Sequence, residues 1–135
     1  MTVIETFKSE FRFSAQGRTS RRNFWIYTLG TWAITIVCTL VAGLIYGITN
    51  SENLFMILMI VVGLGLVVLN IAYAFVTIRR LHDMGYSGWW FLAVVGALML
   101  SSVFQKAAPG LSLAITFIVY VCLSMRSDVH PNRFD

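Results

Sequence analysis

Charge is what this sequence has least of. Only 12% of its 135 residues are charged, where an average soluble domain carries about 25%. No Asp, Glu, Lys, Arg or His interrupts the four apolar runs that fill most of the chain, so the usual mark of an intramembrane proton or ion relay is missing. Cysteine and histidine are scarce too, two of each. Cys38 and Cys122 lie in separate apolar runs at different expected depths, so they read as small packing residues and not as a disulfide. With so few ligating side chains, no metal-ligand spacing exists and no cofactor is expected. Of the two prolines, Pro109 stands at the head of the fourth run, where a helix tolerates it.

What is present is apolar surface. Hydrophobic residues make up 58% of the chain and the mean hydropathy is +0.77. A soluble domain of this length buries only about two-thirds of the surface its unfolded chain exposes. Lipid must therefore be the solvent for much of the chain, and residues 1–135 are expected to form a single membrane domain. The runs predict helical spans at about 24–48, 54–78, 87–105 and 109–125. The first two are long enough to cross a bilayer with tilt. The last two are short, so four full spans and a re-entrant hairpin in place of the last two both stay open. The first run lacks a small-x-small cleavage site and is expected to remain as a helix.

Orientation follows from the basic residues. Lys8, Arg12, Arg18, Arg21 and Arg22 precede the first run, Arg79 and Arg80 follow the second, and Arg126 and Arg133 follow the fourth. The opposite loops hold only Lys106. Nine against one places both termini in the cytoplasm, N-in and C-in. These residues punctuate spans and do not build a basic face interleaved with readable positions, so nucleic acid is not an expected partner. Upstream, Val3, Ile4, Phe7 and Phe11 recur at three- and four-residue steps with polar residues between them, which predicts a short amphipathic surface helix over 2–13. Thr19 or Ser20 can cap the helix that follows.

The stretch from Ile78 to Trp90, IRRLHDMGYSGWW, concentrates the polar chemistry. Read as a catalytic loop, His82 would be a general base oriented by Asp83. Adjacent helical residues point about 100° apart, however, and no nucleophile motif accompanies them, so no catalytic residue is assigned. Read as a binding surface, Arg79 and Arg80 join Arg18, Arg21 and Arg22 in pairing with phosphate. Read as architecture, Asp83 pairs with an arginine of the first block, Gly85 and Gly88 allow a turn, and Trp25, Trp89 and Trp90 anchor the interface. Asn70, an amide inside the second run, is expected to bond across helices. Gly43-x-x-x-Gly47 and Ala93-x-x-x-Ala97 would let helices approach closely, within the chain more than between copies.

Two blocks, FSAQGRTSRRNFWIYTL at Phe13–Leu29 and IRRLHDMGYSGWWFL at Ile78–Leu92, resemble the signature blocks of a bacterial inner-membrane family, the domain of unknown function 805. Gly17, Arg18, Arg21, Phe24 and Trp25 match the first, and Arg79 to Asp83 with Ser87 to Trp90 match the second. The tail His130-Pro131-Asn132-Arg133-Phe134 is a loose version of the family's ending, and Gly96 is present without the proline often seen in its third helix. The resemblance implies a small multi-pass inner-membrane protein and supplies no reaction. The resulting expectation is a non-enzymatic scaffold or interaction protein whose cytoplasmic Arg/His/Asp/Trp surface contacts membrane phospholipids or a membrane partner, a second copy included. A small oligomeric transporter or channel is the alternative, and a lipid-modifying enzyme ranks third.

Overall fold

The computed structural model describes residues 2–125. The polar tail, with Arg126, Arg133 and the His130–Asn132 sequence, lies outside the described residues. Within them the chain forms five helices and no strand: α1 (Val3–Glu10), α2 (Arg21–Thr49), α3 (Glu52–Asp83), α4 (Trp90–Ala107) and α5 (Pro109–Leu123). Three of these, α2, α3 and α4, are long and apolar enough to cross a membrane. The fourth apolar helix, α5, has 15 residues and reaches about 22 Å.

Local chemistry sets the ends. Thr2 and Glu5 close a capping box on α1, with the Thr2 amide donating to Glu5 at 2.7 Å and the Glu5 amide to Thr2 at 3.2 Å. The Thr2 backbone amide foremost, and the Thr2 hydroxyl after it, hold the Glu5 carboxyl below its ordinary pKa. Ser20 caps α2 through the Asn23 amide at 3.3 Å. Asn50 then turns left-handed at φ 48°, and Ser51 caps α3, so two residues suffice to fold α2 and α3 into an antiparallel hairpin. Inside α2, Thr28, Thr31, Thr35 and Thr39 each donate to the carbonyl four residues back, which satisfies hydroxyls that lipid cannot. The α4–α5 hairpin is locked by Ser101, whose hydroxyl lies 2.9 Å from Ser112 Oγ and 2.8 Å from Thr116 Oγ1.

Some expectations change. The second helix does not stop at Ile78: α3 runs on through Asp83, so IRRLHD is its last turn and a half and not a loop. It closes as a Schellman motif, with Tyr86 N donating to Leu81 O at 2.9 Å and Gly85 N to His82 O at 3.1 Å. Gly85 supplies the φ of +81° that this ending demands. Helix α1 is shorter than 2–13, because the carbonyls of Glu10, Arg12 and Ser14 turn toward Arg79 instead of continuing a helix. It also docks on α2. Phe7 stacks on Tyr27 at 4.7 Å between centroids, over Gly30. Val3 and Ile4 stay exposed. Among the described residues Gly43 and Gly47 meet nothing within 4 Å, so their expected close approach is not made there. Asn70 is exposed and donates to Leu66 O of its own helix at 2.7 Å, not across helices.

The buried cluster of Phe24, Tyr27, Ala72, Val76, Leu81 and Leu123 gathers at the end of the bundle where α2 begins and α3 ends. Toward the other end apolar side chains face outward, as suits a protein solvated by lipid.

A Cβ added at Gly30 would fall 2.7 Å from two ring carbons of Phe7. Gly30→Ala is therefore expected to destabilise the fold by about 1–3 kcal/mol, as overpacking does. Phe7→Leu in the same chain should recover part of that loss, read as non-additive shifts of thermal unfolding in detergent.

Candidate functional site

At the packed end two adjacent arginines of α3 are wholly enclosed. Arg79 and Arg80 each have 0% exposure. An arginine carries five N–H donors and no acceptor, so burial requires five acceptors placed around a plane. For Arg79 they are all there. Nε donates to Thr19 Oγ1 at 3.2 Å. Nη1 donates to the carbonyls of Ser14 at 2.6 Å and Arg12 at 3.3 Å. Nη2 donates to the Glu10 carbonyl at 2.7 Å and its carboxylate at 3.0 Å. The Glu10 carboxylate also accepts from Thr19 Oγ1 at 2.9 Å and Asn23 Nδ2 at 3.0 Å. Thr19 N closes the circuit by donating to Arg79 O at 3.1 Å.

Arg80 turns the other way. Its Nε donates to Leu123 O at 2.8 Å and its Nη2 to Met125 O, so it caps the C-terminal end of α5. Its Nη1 pairs with Asp83 Oδ2 one turn on. Asp83 is held from both sides, since Arg18 Nε meets Oδ1 at 3.2 Å and Arg18 Nη2 donates to the Asp83 carbonyl at 3.0 Å. The acceptors therefore include end carbonyls of α1, α3 and α5, each carrying partial negative charge that suits a guanidinium.

The two sequence blocks thus meet, and Asp83 joins an arginine of the first block as expected. Arg79 and Asp83 share α3, but their partners differ: Glu10 for one, Arg18 and Arg80 for the other. Arg79 and Arg80, expected among the phosphate contacts, are placed inside with protein acceptors. Arg21 and Arg22 are exposed. His82 is 8% exposed and lines a hollow of about 530 Å³ with Ala15, Ile78, Ser87, Gly88 and Trp89. Trp89 and Trp90 are exposed, at 79% and 55%. Trp25 is partly buried and donates to Ser124 Oγ at 3.0 Å, which ties α2 to the end of α5. Glu10, Thr19 and Asn23 were missed by sequence reasoning. The one signal was a non-capping acid in a strongly basic flank, since Glu5 is taken by the cap.

Three long apolar helices with a buried polar knot at one end define the class: an all-helical membrane protein. Residues 12–135 match the family described as "Protein of unknown function (DUF805)", and the chain belongs to that family. It is 36% identical over 102 residues to "Uncharacterized protein YiiR" of Escherichia coli strain K12 and, equally, of Escherichia coli O157:H7, over 75% of this chain. The chain spans 62% of the length of those relatives. No solved structure matches it.

Arg79→Met leaves Glu10 buried without its cation and is expected to cost about 3–5 kcal/mol, while Arg79→Lys, which cannot fork to five acceptors, should also fall well short of wild type. The double change Arg79→Met with Glu10→Gln should recover much of the loss in thermal melts in detergent.

Proposed function

We propose that this is a four-span protein of the bacterial inner membrane, with both ends in the cytoplasm, acting as a non-enzymatic scaffold or interaction protein. The observation that carries this reading is how its polar chemistry is used. Arg79, Arg80 and Asp83, the charged side chains of the IRRLHD stretch, are committed to holding α1, α3 and α5 together. Both Asp83 oxygens face arginines, which leaves the carboxylate poorly placed to orient His82 as a base. On the same end Arg21, Arg22, Trp89 and Trp90 are exposed, the residue types that contact anionic headgroups and interfaces. The basic-residue count supports the orientation.

A second reading rests on Asn70. Its amide stands on an uncovered face of α3, so in an oligomer it would lie between copies and could line a path. Flux through liposomes that falls in Asn70→Leu would support this transporter or channel reading, and unchanged or absent flux would reject it.

For the scaffold reading, a photo-cross-linking residue in place of Trp89 in intact cells should give adducts with lipid or with a defined membrane partner. Recovery of neither contradicts it.

A further inference from the structure

Between α2 and α5 a lateral groove of about 700 Å³ opens on the side of the bundle, floored by Trp25, Trp32, Phe117, Tyr120 and Val121. We propose that this groove seats one acyl chain of an anionic phospholipid, whose phosphate is held by Arg21 and Arg22. This rests on the reading above of a membrane protein with an anionic-lipid surface, and it names where on that surface the lipid binds.

Three observations select this occupant. The first is charge. Among the described residues Arg18, Arg79 and Arg80 form ion pairs, whereas Arg21 and Arg22 on α2, like Lys8 and Arg12 of the N-terminal segment, are exposed and form none. Two adjacent cations without internal partners therefore stand free for an anion from outside.

The second is position. Arg21 and Arg22 lie four and three residues before Trp25, so they share its side of α2 at the mouth of the groove. The mouth is closed across the two helices by the Trp25–Ser124 bond at 3.0 Å.

The third is length. From Ser124 at the mouth to Leu113 at the far end, α5 runs about 16 Å, close to half of a ~30 Å hydrocarbon core. The groove is thus one leaflet deep, apolar along its floor and cationic at its lip, which is the layout of a phospholipid. A zwitterionic lipid matches the floor and carries the same phosphate, but its own ammonium group offsets the attraction of the lip.

Tryptophan fluorescence tests the assignment with the full chain in phosphatidylcholine vesicles that hold a small fraction of acyl-brominated phosphatidylglycerol or acyl-brominated phosphatidylcholine. Trp89→Phe with Trp90→Phe leaves Trp25 and Trp32 as reporters of the groove. Trp25→Phe with Trp32→Phe leaves Trp89 and Trp90 as reporters of the outer surface. The groove pair should be quenched with a roughly 30-fold preference for phosphatidylglycerol, the effect of two juxtamembrane arginines. Arg21→Gln with Arg22→Gln should bring the two lipids to parity, and the paired lysine variant should keep most of the preference. Val121→Phe, which narrows the groove from α5, should reduce quenching while the arginines remain.

Equal quenching by the two lipids, or quenching indifferent to Val121→Phe, overturns the proposal. Preferential quenching of Trp89 and Trp90 alone overturns the groove and leaves the wider lipid-surface reading standing. A groove pair shielded from both lipids, with cross-links between chains across α2 and α5, shows a second copy in the groove and overturns it as well. Selectivity at neither pair removes the lipid half of both readings.

Discussion

Two buried guanidiniums organise this molecule. A charged arginine taken out of water is among the most unfavourable groups a fold can enclose, and it is tolerated only where every donor finds an acceptor. Arg79 meets that condition in full and Arg80 finds an acceptor at each of its three nitrogens, largely by drawing backbone carbonyls from elsewhere in the chain: Glu10, Arg12 and Ser14 on one side, Leu123 and Met125 on the other. Because adjacent residues on a helix point in different directions, one dipeptide reaches both the N-terminal segment and the last helix. The placement of α1 and of the α4–α5 hairpin both depend on it.

The bilayer explains why such a device sits here. Among helices in lipid the hydrophobic effect gives little reason to associate, and packing, small residues and polar contacts do the work. The long α2–α3 hairpin is held by its two-residue turn and by contacts such as Tyr46 against Phe55 at 4.9 Å. Elements outside that hairpin need another tie to it. Helix α1 is bound by Glu10 and by Phe7 on Tyr27, and α5 by Arg80 and by Trp25 through Ser124. The ion pairs cluster at the end rich in charge, where water stays within reach and the enclosed ions are least unfavourable.

Much of the architecture was legible in the sequence. The apolar runs marked four helices, Thr19 or Ser20 the start of α2, where Ser20 is the cap, and Pro109 the start of α5. The pairing of Asp83 with the first block followed from opposite charges flanking spans on one side. The continuation of α3 through Asp83 was not legible, because a run of charge after an apolar stretch reads as a helix end until its partners are known. Nor was the role of Glu10, whose three bonding partners come from positions 19, 23 and 79. Asn70 shows the same limit from the other side. An amide in a span announces a need for a partner, yet Leu66 O on its own helix was enough. Composition reveals that polar groups must be satisfied, and only the fold reveals by whom.

The central claim is that Arg79 and Arg80 are internal ties and not part of an open basic surface. Reaction of the folded chain in mild detergent with an arginine-specific dicarbonyl, followed by peptide mapping, tests this directly. Adducts should form on Arg21 and Arg22 and be absent from Arg79 and Arg80 until the protein is unfolded. Modification of Arg79 and Arg80 in the folded chain at the rate seen for Arg21 would contradict the account.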